Sequence, residues 1–517
     1  MEIDDLKQQA KRLGGPVPAH VLTVDAEQYR QFAGAVHSEG GRLVALWATD
    51  RRAVRGGFLV QAALADQDGL WCIGLPIKEG RPVFPDLADL YPFAGRMQRA
   101  VYDLVGLRAD RAVDERPWLR HDAWPAEAYP LRGDFAASSG SAAAPHPYPY
   151  AFVSVDGEGV HEIPVGPVHA GTIEPGHFRF SVVGERVLRL EERLGYVHKG
   201  IEKRFESLSL EEGVRLAGRI SGDSSVAYAW AYSLAVESLT ATVLPERAQW
   251  LRALLLERER LMNHLGDLGA LGNDAALAFG LAQFSRLKED MLRLNHTHFG
   301  HRYLMDCIAP WGVVRDLDVD ATLAIRHEGE MLHAEILELK YIYDEHAGLQ
   351  DRFLTAGRIQ PELAARLGVV GLAGRASGQS WDLRTQFPLP PYDQLDVNMV
   401  THRSGDVAAR VTVRFEEALE SLRLIVRVLD EMPGGELRVP LNAAPDGAFG
   451  VGWVEGWRGE VLVAVEAGEG NRIRRCHAHD PSWQNWPALE YAIIGNIVPD
   501  FPLINKSFNL SYSGHDL

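Results

Sequence analysis

The sequence predicts an α+β protein in two parts: a small α/β unit over residues 1–135 and, beyond a linker at 136–150, a mainly helical unit with peripheral β-strands over 151–517. Three observations predict it. Short runs of β-branched and aromatic residues flank a helical stretch in the first part. The run from Ala136 to Tyr150 is low in complexity and rich in Ser, Ala and Pro, as a connector between separate units is. From Leu208 onward apolar residues recur at helical spacing through long windows, and 517 residues exceed what one ordinary core accommodates.

In the first part, Val21–Val24 and Arg42–Trp47 read as strands around a helix from Glu27 to His37. Gly57–Leu64 and Leu70–Leu75 form a second strand pair across the polar turn at 65–69. No Gly-x-Gly-x-x-Gly, cysteine cluster or histidine pair occurs here, so the first part carries no cofactor signal. The second part opens with strands at Phe152–Val155 and Val160–Gly166, then a strand, turn and strand about Gly184-Glu185. Helices follow over Pro245–Leu271, Leu281–Asp306, Ala321–Asp344 and Val411–Glu431, and a strand, turn and strand over Trp453–Val465.

Composition narrows the function classes. The apolar fraction of 46% with 24% charged residues is that of a globular protein. A formal charge of −17 argues against nucleic acid or anionic lipid as the main partner, because both demand clustered Lys and Arg. The opening Met1–Lys7 has no cationic segment leading into an apolar run, so no signal peptide is expected. No window is long and apolar enough for a spanning helix, which leaves membrane association to partner subunits. Cys72, Cys307 and Cys476 lie far apart, the usage of a reducing compartment.

The chemistry centres on Arg219–Glu237. Its last two-thirds is alanine-rich and free of proline, so it predicts a helix that a neighbour can approach closely. At its front, Ser221, Ser224 and Tyr228 fall at i, i+3 and i+7 and present polar side chains on one face.

The spacing Arg219-x-Ser221-Gly222-x-Ser224-x-x-x-Tyr228 resembles the nickel-iron hydrogenase large-subunit motif Arg-x-Cys-Gly-x-Cys-x-x-x-His, with serines at the ligand positions and tyrosine at the histidine. The same stretch resembles the quinone-site helix of the large hydrophilic subunit of respiratory complex I. Other landmarks agree. Arg99-x-x-x-Asp103-Leu-x-Gly106, Arg116-Pro117-Trp118-Leu119 and Tyr129-Pro-Leu-Arg-Gly-Asp-Phe135 resemble, in order, the small hydrophilic subunit of complex I. Gly166-Pro-x-His169, Glu174-Pro-Gly-His177-Phe-Arg-Phe180, Gly195-Tyr-x-His-x-Gly-x-Glu202-Lys203, Glu257-x-x-Arg260-x-x-x-His264 and Arg375-Ala-Ser-Gly378 resemble the large hydrophilic subunit and its membrane-bound hydrogenase relatives. Near the end, Asp480-Pro481-Ser482-Trp-Gln-Asn485 stands in the place of the hydrogenase Asp-Pro-Cys-x-x-Cys, and the tail 496–510 resembles that of hydrogenase-4-type large subunits.

The resemblance implies that the small and large hydrophilic subunits of complex I are fused in one chain, with the metal-ligand positions falling on Ser221, Ser224, Ser482 and Asn485. Hydroxyl and amide groups do not ionise usefully at neutral pH and are hard donors, so no nickel-iron centre is expected and this chain by itself is not expected to be an active hydrogenase. It implies a cavity in which Arg219, Ser221, Asp223, Ser224, Tyr228, Asp480 and Asn485 converge, with Glu202 and His169 or His177 at the rim as quinone or proton groups. The quinone-site tyrosine of the large hydrophilic subunit aligns with Gly222, which puts quinone chemistry in doubt. The chain itself would bind no cofactor, with quinone possible. Implied partners are a small Fe-S subunit bearing iron-sulfur clusters, a ferredoxin-like subunit and membrane-embedded antiporter-like subunits. The implied location is the cytoplasmic side of the cell membrane, peripheral through those partners. The implied function is coupling of electron transfer, from NADH, formate or another donor through the partners, to quinone or to the membrane arm. A non-catalytic scaffold is the alternative.

Overall fold

The computed structural model describes residues 3–121, 124–135, 150–171 and 173–517. In the first unit five strands form a sheet in the order Lys11–Arg12, Ala19–Thr23, Gly69–Ile77, Phe58–Asp66 and Arg42–Asp50. Ala19–Thr23 runs parallel to Gly69–Ile77, and the remaining neighbours are antiparallel. Helix Ala26–Ser38 starts on a capping box, in which Asp25 accepts from the Gln28 backbone and Gln28 accepts from that of Asp25. Helix Ala94–Val105 ends at Gly106, whose φ of 79° closes the last turn at little cost for glycine.

The landmarks that resemble those of the small hydrophilic subunit are packing devices. Asp103 on helix Ala94–Val105 accepts the backbone N–H groups of Trp118 and Leu119 at 2.7 Å each. Burial works to raise its carboxyl and those donors work against it, with burial prevailing. The guanidinium groups of Arg96 and Arg99 both pack on Trp118, each 4.8 Å from its ring centroid.

The expected linker falls, over 136–149, outside the described residues. Its last residue, Tyr150, accepts from Arg99 Nη2 at 2.8 Å and packs its ring against Phe152. Residues 152–155 form no strand. The Val153 N–H is taken by the Glu191 carboxylate at 2.8 Å, and Phe152 lies beneath Arg179, so side chains supply what a strand partner would have. Beyond them Val160–Val165, His177–Val183 and Arg186–Arg193 form an antiparallel sheet at the periphery.

The second unit is built round helix Ser225–Thr240, almost wholly buried. Helix Glu246–Asp274 packs on it, Ala278–Phe299 and Val407–Glu431 pack on Glu246–Asp274, and Val319–Glu345 lies against those two. Strand Phe449–Glu455 lies directly on the alanine-rich helix, and Glu460–Ala467 and Ile473–His479 extend that sheet antiparallel. The approach requires glycine: a Cβ on Gly452 would stand 1.8 Å from the Ala231 carbonyl oxygen, and one on Gly450 2.1 Å from that of Ala235. Gly452→Ala is therefore expected to cost about 2 kcal/mol, read as a lower denaturant midpoint at unchanged slope.

The two units meet along this sheet. Arg42 of the first sheet's outermost strand pairs with Glu460, Arg51 with Glu466 at 2.6 Å, and the Gln484 amide donates to the Val44 carbonyl at 2.7 Å. An exposed strand edge invites foreign pairing, and here the other unit covers it.

Candidate functional site

The loop before helix Ser225–Thr240, the turn 456–459 and the segment 509–514 meet in one polar pocket. Ser221 Oγ lies 2.8 Å from Asp223 Oδ1 and 3.0 Å from Ser511 Oγ. Arg458 Nη1 donates to Asp223 at 2.8 Å and reaches Ser224 Oγ at 3.4 Å, while its other nitrogens meet the Asp223 carboxylate and the Asn509 carbonyl. The Trp457 indole N–H and the Asn263 amide both donate to the Asp223 carbonyl, at 2.8 and 2.7 Å. Tyr228 O–H donates to Asp480 Oδ2 at 2.8 Å, and the Ser511 N–H donates to Ser482 Oγ at 2.9 Å. Burial works to raise the Asp223 carboxyl, but the Arg458 guanidinium outweighs it and holds the group at about 2. Burial, then the Asp480 charge, lift the Tyr228 hydroxyl well above its ordinary value, so it stays a neutral donor.

Two family models match. Residues 22–141 match the 30 Kd subunit of respiratory-chain NADH dehydrogenase and residues 267–446 its 49 Kd subunit. Formate hydrogenlyase subunit 5 of Escherichia coli is 32% identical over 486 residues, covering 93% of this chain and 85% of that one. The chain belongs to this family, with its two complex I subunit types fused. Hydrogenase-4 component G of E. coli is 29% identical over 519 residues, 99% of this chain and 90% of that one. The fused C/D subunit of the NADH-quinone oxidoreductase of Phocaeicola vulgatus is 29% identical over 406 residues, 75% of this chain and 78% of that one. Among solved structures, a chain of the membrane-bound sulfane sulfur reductase, an archaeal respiratory membrane complex, superposes with a TM-score of 0.66 at 26% identity. That match covers 70% of this chain and 99% of that one.

The site of this fused subunit departs from the sequence reading at several residues. Arg219 points away from the pocket and pairs with Asp306 at 2.7 Å, both side chains 40% exposed. Asn485 is turned to Val370, donating to its carbonyl at 3.1 Å and accepting its N–H at 3.0 Å, so the amide clasps backbone instead of facing Ser221. The side chain set against Ser221 is Ser511, which the sequence reading did not single out. Its spacing to Gly514 repeats the x-x spacing of Ser221 to Ser224, a signal that was available. Arg458 was also missed, because it sits in a turn and no spacing marks it.

His169 and His177 are spent on the loop that carries them: His169 Nε2 lies 2.9 Å from the Gly176 carbonyl and His177 Nδ1 3.1 Å from that of Gly166. Burial lowers His177. Glu202 is not at the pocket rim but at the seam between the units, 2.7 Å from His477 Nδ1 and 3.0 Å from Arg475. Burial works to raise its carboxyl, and Arg475 and His477 together override that and hold it at about 2. A carboxyl lower in the folded than in the open chain gives stability that is full above about 4.5 and is lost as pH falls toward about 2. Glu202→Gln is expected to flatten the stability profile over that interval, measured by denaturant titration at stepped pH.

The helix motif shared with the large hydrophilic subunit is the charged core behind the pocket. Glu257 accepts from Arg384, from Tyr392 O–H at 2.7 Å and from Ser421 Oγ at 2.6 Å. His264 Nε2 lies 2.9 Å from Glu417, which also takes Arg375. Glu259 accepts the first N–H groups of helix Ser225–Thr240, those of Val226 and Ala227, at 2.6 and 3.1 Å.

The pocket does not fit a nickel-iron centre. Its side-chain donors are hydroxyls and carboxylates already bonded to one another, and a fixed cation, Arg458, is seated among them. Gly514 offers no room for a ligand: a Cβ there would stand 2.3 Å from Asp480 Oδ2 and 2.9 Å from Ser511 Oγ.

Proposed function

We propose that this chain is a hydrophilic-arm subunit of a complex I-like or hydrogenase-4-like membrane respiratory complex, and that its pocket transmits charge and conformation without a metal of its own. Electrons arrive on iron-sulfur clusters of a partner, and the Arg458–Asp223 pair with its serines couples that event to membrane-embedded partners from the cytoplasmic side. The observation that carries this is the guanidinium bonded to Asp223 and Ser224 within a pocket of oxygen donors, where a bimetallic centre requires thiolates. Ser511 and Gly514, rather than Ser482 and Asn485, take the part of the second ligand pair, because Ser511 is what meets Ser221.

A quinone in this pocket has less support, since Tyr228 O–H is already donated to Asp480 and both candidate histidines bind backbone carbonyls. Elemental analysis of the purified complex is the test. Iron matching partner clusters, nickel far below one per chain and no hydrogen evolution are expected. Stoichiometric nickel would overturn the reading, and quinone-site inhibition abolished by His177→Ala with assembly intact would move the chemistry to quinone.

A further inference from the structure

Between the two units lies a cavity of about 30 Å³, with Ala100, Val101 and Leu104 of helix Ala94–Val105 on one wall and Glu202, His477 and Asp516 on the other. His477 is held from two sides. Its Nδ1 lies 2.7 Å from Glu202, and its ring lies flat on Trp47 of the first unit, with centroids 4.8 Å apart and planes at 11°. Glu202 is ionised, so Nδ1 must carry the hydrogen of that bond and Nε2 bears a bare lone pair. No group among the described residues meets Nε2, although the residue is only 8% exposed. A buried acceptor left unmet costs about 1–3 kcal/mol, and a cavity of this size accommodates a water molecule.

We propose that the cavity binds water and that Glu202 and His477 form a proton-holding dyad at the seam of the two units, serviced through that water. A hydronium in the cavity gives its proton to Nε2: one O–H bond breaks, one N–H bond forms, neutral water remains and no electron moves. The imidazolium then lies between the Glu202 carboxylate and the face of Trp47, both of which favour a cation.

The charged groups acting on it are Glu202 from the helix Ile201–Phe205 and Arg475 from its own strand, with His479 two residues further along that strand, while His198 and Asp516 line the same cavity. Burial lowers His477 and outweighs the Glu202 bond that raises it, so Nε2 is bare at neutral pH and takes up its proton as the pH falls. Its uptake site touches both units, which makes their docking proton-linked. Failure of this idea would leave the proposed function intact, because no step above passes through Nε2.

The test is histidine-selective ¹⁵N NMR on the full chain, with His477 assigned by its loss in His477→Gln or, should that variant not fold, by the ring-current shift in Trp47→Phe. The expected result is the Nδ1–H tautomer at pH 7 and a one-proton titration at Nε2. Ala100→Leu, which fills the cavity, is expected to slow exchange of the bound proton by on the order of tenfold as water is displaced. An Nε2–H tautomer, or exchange unaltered in Ala100→Leu, would overturn the proposal.

Discussion

Replacing Arg375 by methionine is expected to lower the stability of the chain by about 3–5 kcal/mol. The guanidinium donates to Glu417 and to Glu455 at 2.8 Å each and to the Trp381 carbonyl at 3.0 Å, and it lies 3.8 Å from Asp382. None of these charged side chains is more than 1% exposed. Burial works to raise the Glu417 carboxyl, and the Arg375 charge, with the His264 bond, overcomes it and carries the group well below its ordinary value. Methionine fills much of the same volume but leaves Glu455 without its paired cation and Glu417 with His264 alone where water cannot reach them, and the cost of an unpaired buried charge exceeds the value of the pair. Denaturant unfolding of the purified chain reads the effect. A midpoint unchanged from wild type would mean that the carboxylates take up protons without penalty. Arg375→Lys is expected to recover part of the loss, since the charge stays while the fork that serves two carboxylates is gone.

Arg458→Met is expected to cost less, about 3 kcal/mol, because 35% of the Asp223 side chain reaches solvent whereas only 6% of Arg458 does. Asp223 then has no cation, and the Asn509 carbonyl and Ser224 hydroxyl lose a shared donor. Asp223→Asn in the same chain is expected to return a substantial part of the stability, because the orphaned charge goes with it; the coupling between the two positions is the quantity a double-mutant cycle isolates. Equal losses in the single and double variants would show that the guanidinium acts by packing on Trp457, 4.0 Å from its ring, and not by charge. On the function proposed above, Arg458→Met in the assembled complex is expected to lower turnover coupled to the membrane while assembly, read by co-purification, is kept.

Local periodicity carried the long elements. Helix Glu246–Asp274 and helix Val319–Glu345 lie within a few residues of the bounds their apolar spacing implies, since both are long, the second buried along one stripe and the first on nearly every face. The alanine run at 227–235 also announced a close neighbour, though not that the neighbour would be a strand bearing glycines. What local pattern could not supply was partnership at a distance. Ser221 and Ser511 are 290 residues apart, and Glu202 and His477 are 275 apart, so neither pairing leaves a mark on spacing. Asn485 misled because an amide that could point into a pocket serves equally well as a mimic of a strand's backbone. Arg219 misled because it sits one step outside the buried turn, where a surface carboxylate takes it. Resemblance named the residues at the front of the pocket, and only geometry supplied Ser511 and Arg458 at the back.

The seam where Gly450 and Gly452 seat on Ala235 and Ala231 has a mechanical meaning. With backbone against backbone there is no layer of side chains to deform, so helix Ser225–Thr240 and the strand pressed on it behave as a single stiff plate. The turn bearing Arg458 follows that strand directly, and Ser224 immediately precedes the helix. The serines at one helix end and Thr240 at the other therefore belong to one rigid piece, to which the Arg458 turn is joined directly.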